Sequence, residues 1–233
     1  MSKANKSNKA IKYRLYPNDE QKVMFAKTFG CCRFVYNQLL ALQKQRYKDG
    51  KSHLSKLKSN EFATRTLKKD YDFLKEIDKF AVSNAVFHLA DAYDKFFKKQ
   101  NHFPKFKSKR KSKKSYTTNF TNNNILIGKN VIKLPKVGMV KAVIHKLPKD
   151  DWKLKSVTVS QDSVGNYFAS VLFEYEQEDI PSVSKSSTNA IGLDYKSDGL
   201  YMDSNGNKAG VHKYYRESHK KLVKEQRRLS RKA

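Results

Sequence analysis

The sequence is poor in cysteine and has no long apolar run. Its two cysteines, Cys31 and Cys32, are adjacent, so they offer neither a disulfide framework nor the spaced ligands of a zinc site. No run approaches the roughly 18 apolar residues of a membrane-spanning helix. The polar N-terminus, MSKANKSNKA, lacks the apolar core of a secretory signal. We therefore expect a cytoplasmic protein without a membrane partner.

Acidic residues are also scarce. The chain has 22 Asp and Glu against 49 Lys and Arg, a net charge of +27. Between Lys95 and Lys149 there are 16 basic residues and no acidic one. Such a charge opposes compaction unless a polyanion is present, and nucleic acid is the commonest one because each neutralised phosphate releases a counterion. The basic stretches lack the apolar face of a membrane-binding helix, so we expect nucleic-acid binding and a nucleoid-associated location.

The densest basic run, KKQNHFPKFKSKRKSKK, has nine basic residues among its 17. Aromatic residues are interleaved with it and follow it. Cations that hold phosphates, together with rings on which bases stack, are typical of RNA binding; a merely solvated linker is the alternative. The predicted contacts are Lys98, Lys99, Lys105, Lys107, Lys109, Arg110, Lys111, Lys113, Lys114, Tyr116 and Phe120.

Apolar periodicity predicts an α+β fold. Residues 8–17 alternate as a strand. Residues 18–99 have helical spacing, opened by a capping-box pattern, with Gly30 as the expected break between two helices. Residues 115–178 contain short alternating runs separated by turns, typical of a small antiparallel barrel or sandwich that the N-terminal strand completes. Residues 100–114 and 179–188 are predicted linkers, and the domain boundaries follow these ranges.

The C-terminal part, residues 189–233, is predicted to form a hairpin carrying Asp194 and then a basic helix. Asp on such a strand is a frequent start of a metal-dependent nuclease site, but such a site needs several carboxylates. The acids nearby are explained by turns, for Asp198 and Asp203, or by helix ion pairs, for Glu217 and Glu225. We expect no stable metal, with Asp194 at most a weak Mg²⁺ ligand. Predicted phosphate contacts on the helix are Lys220, Lys224, Arg227, Arg228 and Arg231.

Four segments together resemble the TnpB (OrfB) proteins of bacterial insertion sequences, the compact relatives of type V CRISPR effectors. They are PNDEQKVMFAKTFGCCRFVYNQLL, FPKFKSKRKSKKSYTTNF, AIGLDYKSDGLYMDSNGNKAG and KYYRESHKKLVKEQRRLSRK. The resemblance implies a wedge-type β-barrel, an inserted helical recognition (helix-turn-helix) lobe, and a RuvC-like segment of RNase H fold with Asp194 as first catalytic carboxylate. It also implies a guide RNA and a double-stranded DNA target beside a short motif, read near Lys79, Ser83, Asn84 and Thr117.

The sequence departs from the family after Asp194. The second and third catalytic acids and the Cys-x-x-Cys zinc ribbon of the family cannot be mapped onto it, which leaves an incomplete RuvC-like segment. Three hypotheses remain open. The first is an RNA-guided DNA-binding protein that does not cut and represses transcription. The others are the N-terminal portion of an active Mg²⁺-dependent endonuclease, and a transposon remnant that binds RNA without guided activity. The first needs no cofactor besides the guide RNA, and the sequence leaves the oligomeric state open.

Overall fold

The computed structural model describes residues 6–176, 191–195, 199–210 and 214–231. The chain divides into two units, residues 1–179 and 180–233. The predicted linker 179–188 lies outside the described residues, as does Asp198. None of the described helices has the length and apolar character needed to cross a membrane.

The first unit contains a seven-stranded antiparallel sheet, in agreement with the predicted mixture of helices and antiparallel strands. The N-terminal strand β1 lies inside this sheet, between β7 and β5. The strand order is β2-β6-β7-β1-β5-β4-β3. The bounds are β1 Lys6–Tyr16, β2 Lys114–Asn119, β3 Leu126–Ile127, β4 Val131–Leu134, β5 Gly138–Val143, β6 Lys153–Gln161 and β7 Tyr167–Glu176.

The described strands do not close into the predicted barrel. The sheet is open, with β2 and β3 at its two edges. The outer edge of β2 is covered by a helix, from which Asn84 Nδ2 donates to the Thr117 carbonyl at 2.9 Å and to Asn119 Oδ1 at 3.2 Å. A helix that covers an edge satisfies backbone groups which barrel closure would otherwise pair.

The first helix, α1 (Asp19–Lys48), is continuous, so the predicted break at Gly30 is wrong. Its start agrees with the sequence, because Gln21 N donates to Asn18 Oδ1 at 2.8 Å and Asn18 N donates to Gln21 Oε1 at 3.1 Å. A glycine inside a helix costs about 0.5–1 kcal/mol relative to alanine. The burial of Phe29 and Cys31 on either side outweighs this, since one fully buried large apolar side chain contributes about 1.5–3 kcal/mol.

The helical residues after α1 fall into two parts. Residues 56–70 comprise α2 (Lys56–Glu61), a π-helical turn (Phe62–Leu67) and the short α3 (Lys68–Asp70). A 3₁₀ turn (Asp72–Lys75) then leads to α4 (Lys79–Phe97). Helix α4 begins at the N-cap Asp78, whose carboxylate accepts from Ala81 N at 3.2 Å.

Helices and sheet share one hydrophobic core. On the helical side, Phe25 and Phe29 of α1 supply rings, and on the sheet side Tyr116 and Tyr167 do so. The ring centroids of Phe25 and Tyr167 are 5.4 Å apart, and those of Phe29 and Tyr116 are 5.9 Å apart. The helical part is therefore packed onto the sheet and is not a detached lobe.

The second unit contains a small antiparallel sheet in the order β10-β9-β8 and one helix. The strands are β8 (Leu193–Tyr195), β9 (Tyr201–Asp203) and β10 (Lys208–Ala209), and the helix is α5 (Tyr214–Ser230). The predicted hairpin and basic helix are therefore both present. No residue of α5 is buried.

Candidate nucleic-acid interface

The basic segment, residues 98–114, is not a free linker. Asn37 of α1 fixes its backbone through two hydrogen bonds: Asn37 Nδ2 donates to the Lys107 carbonyl at 2.9 Å, and Lys107 N donates to Asn37 Oδ1 at 2.8 Å. Nearer its start, the ring of Phe103 packs edge-on against Phe96 of α4, with centroids 5.2 Å apart. The segment is thus fixed to both α1 and α4.

Most cations of this segment point to solvent. In the described part of the chain, none of the exposed ones forms an ion pair with an acidic side chain; Lys114 donates to Gln161 Oε1 at 3.0 Å. Fixed backbone with exposed, uncompensated cations is a suitable arrangement for phosphate contacts, because little conformational freedom is lost on binding. These exposed residues are Lys98, Lys99, Lys105, Lys109, Arg110, Lys111, Lys113 and Lys114.

Three predicted contacts in and after the segment are used by the fold. Lys107 Nζ lies 4.0 Å from the centre of the Tyr36 ring, and burial lowers the pKa of this lysine. Tyr116 is 3% exposed and packs against Phe29, and its burial raises the pKa of the phenol. Phe120 is half-buried against the same core. The stacking role predicted for Tyr116 is therefore wrong for this structure, because its ring faces other side chains on both sides.

The residues expected to read a DNA motif lie on α4 and β2, and the structure brings two of them together. Asn84 of α4 donates to the carbonyl of Thr117 on β2, and the Thr117 and Thr158 hydroxyls are 2.9 Å apart. Lys79 is exposed at the start of α4, with its Nζ 5.1 Å from the Phe80 ring, and Ser83 is half-buried one turn later. The amide nitrogen of Asn84 is already engaged with the sheet.

Sequence reasoning missed the pair that fixes this arrangement. Thr118 Oγ1 donates to Asp78 Oδ2 at 2.6 Å, and both side chains are buried. Asp78 just before an apolar helix is a recognisable N-cap signal. No local signal identifies Thr118, 40 residues later, as its partner.

Asp194 lies on β8, opposite Met202, and is exposed. The nearby carboxylates have other partners. Asp203 accepts from Asn205 N, Asn207 N and Asn207 Nδ2 at 2.8–2.9 Å, and the hydrogen bond from the Asn207 side chain is the main reason that its pKa is lowered. Glu225 pairs with Arg228 at 3.9 Å. Within the described residues, no three His, Cys, Asp or Glu side chains group as a metal site.

Helix α5 presents its cations without a covering layer. The cations lie along a shallow groove that includes His219 and Val223. The apolar seam of Tyr215, Leu222 and Leu229 is exposed as well. The groove is lined by the five predicted phosphate contacts, Lys220, Lys224, Arg227, Arg228 and Arg231.

Comparisons with known proteins were made on this chain. The family model HTH_OrfB_IS605, described as a helix-turn-helix domain, matches residues 7–52, which in this structure form β1 and the single helix α1. A protein of Streptomyces pristinaespiralis named as an RNA-guided DNA endonuclease is 31% identical over 227 residues, covering 97% of this chain and 55% of that protein. Another of Escherichia coli (strain K12), InsQ, named likewise, is 30% identical over 230 residues, covering 96% and 54%.

The chain thus spans about half the length of these curated relatives. Among solved structures, it matches a chain in a cryo-EM structure of a CRISPR-Cas12f ternary complex. That match has a TM-score of 0.47 and 10% identity, and it covers 91% of this chain and 52% of the other.

Proposed function

The chain belongs to the TnpB (OrfB) family, and from this membership we propose that it is an RNA-guided DNA-binding protein. Its relatives in Streptomyces pristinaespiralis and Escherichia coli are named as RNA-guided DNA endonucleases. Base pairing with a guide RNA supplies the sequence specificity, while the protein holds the heteroduplex through its backbone and reads a short motif. The partners are a guide RNA and a double-stranded DNA target.

The observation that carries this proposal is the fixed basic segment. Its exposed cations are unpaired with described acidic residues, and the Asn37 and Phe103 contacts hold the backbone that bears them. A fixed row of cations recognises the phosphate backbone of RNA by charge and geometry and not by sequence. Sequence is then read by the guide, as the proposal requires.

We further propose that this chain by itself binds DNA without cutting it. Two divalent ions need several carboxylates around one scissile phosphate. Asp194 is available, but Asp203 is engaged by its own turn and Glu225 by Arg228. Mg²⁺ would act only where further carboxylates completed the site. A complex that stays bound without cutting obstructs a promoter, so the use of this chain is transcriptional repression.

The motif beside the target is read from the junction of α4 and β2. Lys79 offers an exposed cation at the helix start. Ser83 and the Asn84–Thr117 pair lie one to two turns further along the same junction. Because the Asn84 amide donates to the sheet, its contribution to reading is the positioning of Thr117, whose hydroxyl is within reach of a base edge.

The test begins with RNA that copurifies with the protein from its native host. One dominant RNA, with a constant structured part and a tail that matches a chromosomal site, supports guided binding. A mixture of unrelated RNAs contradicts it and favours the non-guided remnant. The complex is then mixed with a plasmid carrying the matched site, with and without Mg²⁺. Retention of intact plasmid supports binding without cleavage, whereas linearised plasmid overturns that part.

A further inference from the structure

A cleft of about 600 Å³ lies between the ends of α1 and α4 and the start of the basic segment. This volume is within the range of about 300–1,000 Å³ typical of sites that enclose a small molecule. We call it the aromatic cleft, since its walls carry the rings of Tyr47, Tyr93, Phe96, Phe97 and Phe103. These residues come from three separate parts of the sequence and meet only in the folded chain.

The rings of this cleft are ordered but not used up by the core. Tyr93 and Phe97 are stacked with centroids 6.2 Å apart, and Phe103 lies edge-on to Tyr93 at 5.6 Å. Yet Phe97 is 64% exposed and Tyr47 is 86% exposed. A contiguous exposed apolar surface of this kind marks a site of interaction more often than a stray surface residue does.

The rim of the cleft is positively charged. Lys44 and Lys48 lie one turn apart on α1, and Lys44 Nζ is 5.5 Å from the Phe103 ring and 4.6 Å from the Phe106 ring. Lys51 completes the rim and is paired with Asp49 at 3.7 Å. No acidic residue lines the cleft itself.

Rings inside and cations at the rim select the chemistry of the occupant. A flat base can stack on or between the rings, and base–aromatic stacking tolerates any base because each has a π-face. The phosphates on either side of that base then reach Lys44 and Lys48. An apolar helix of a protein partner would instead desolvate these ammonium groups without compensation.

We propose that the aromatic cleft captures an unstacked base of single-stranded RNA, with its flanking phosphates on Lys44 and Lys48. The proposal rests on RNA being the ligand of this protein and adds a place where the RNA is held by a base. It makes Phe97 and Tyr47 base-stacking residues. The exposed cations of residues 98–114 then hold backbone only.

The test compares two 12-nucleotide probes, oligouridine and an abasic ribose-phosphate strand of equal length and charge. Binding is measured by fluorescence anisotropy for wild type, Phe97→Ala and a control, Phe73→Leu, which removes an exposed ring outside the cleft. Phe97→Ala should weaken oligouridine binding about 5- to 100-fold. It should leave the abasic strand unaffected, and Phe73→Leu should resemble wild type. Circular dichroism verifies that each variant is folded.

A second measurement locates the base. Oligouridine carrying 4-thiouridine is crosslinked by light, and the modified peptides are mapped by mass spectrometry. Crosslinks to the peptides containing Tyr47 or Phe97 support the proposal. Equal losses for both probes, no loss for either, or crosslinks confined to residues 98–114 overturn it. So does a dimer of the wild type that Phe97→Ala dissolves, which would place a second copy in the cleft.

These outcomes separate the cleft from the guided function. If one dominant RNA copurifies but Phe97→Ala behaves as wild type, the cleft proposal fails and guided binding stands. If unrelated RNAs copurify but the base-dependent loss is found, guided binding fails and the cleft proposal stands.

Discussion

The buried hydrogen bond between Thr118 and Asp78 should be essential for the attachment of α4 to the sheet. Replacing Asp78 by Ala removes the N-cap of α4, which costs about 0.5–2 kcal/mol. It also leaves the fully buried Thr118 hydroxyl without its acceptor, which costs about 1–3 kcal/mol. We expect a combined loss of roughly 3 kcal/mol in the free energy of unfolding. For a domain of this size that is a fall of about 6–12 °C in Tm.

The partner substitution isolates the hydrogen bond. Thr118→Val removes the hydroxyl but leaves Asp78 as the acceptor for Ala81 N. The double variant should lose about 1–2 kcal/mol less than the sum of the two single variants, because both remove the same bond. Urea unfolding followed by far-UV circular dichroism gives each value. Asp91→Ala is the control, since it removes an exposed carboxylate from the same helix and should change stability by about 0.5 kcal/mol or less.

The reasoning is refuted if Asp78→Ala is no less stable than Asp91→Ala, or if the two single losses simply add. A functional readout should follow the same order. Because the bond fixes α4 against β2, Asp78→Ala should weaken binding to motif-containing DNA at a temperature where the variant is still folded.

Three further predictions concern charge, pH and thiol chemistry. Changing three exposed lysines to Gln should flatten the dependence of log RNA affinity on log salt by up to about 0.7 per lost contact, and changing three ion-paired lysines should have a smaller effect; the sets are Lys109, Lys111 and Lys113 against Lys22, Lys27 and Lys75. Burial lowers the pKa of His53 and His88 from 6.5. The unfolded chain therefore binds more protons, and stability should fall as pH drops through 6.5 and below, less so in a His53→Gln/His88→Gln variant. Burial also raises the pKa of the Cys31 and Cys32 thiols to about 11 and about 12. Ellman's reagent at neutral pH should thus label them only after unfolding, and rapid labelling of the native protein would contradict this.

Features that depend on near neighbours in the chain were determined by the sequence. The capping box needs only Asn18 and Gln21, and it forms as predicted. The alternation of residues 10–16 and of the later runs sufficed to predict antiparallel strands, because successive side chains in a strand face opposite sides. The basic composition and the lack of acids between Lys95 and Lys149 predicted a polyanionic partner without reference to any fold. The motifs were also sufficient for the family.

Features that depend on distant partners were decided only by the tertiary structure. Gly30 does not break α1, because burial of its neighbours outweighs its local cost. Tyr116 was expected to face a nucleic acid, but Phe25 and Phe29 enclose it. The barrel stays open because a helix about 35 residues earlier in the chain covers its edge. The aromatic cleft unites rings from residues 47, 93–97 and 103. In each case long-range packing overrides a local preference of about 1 kcal/mol, and no window of sequence contains both partners.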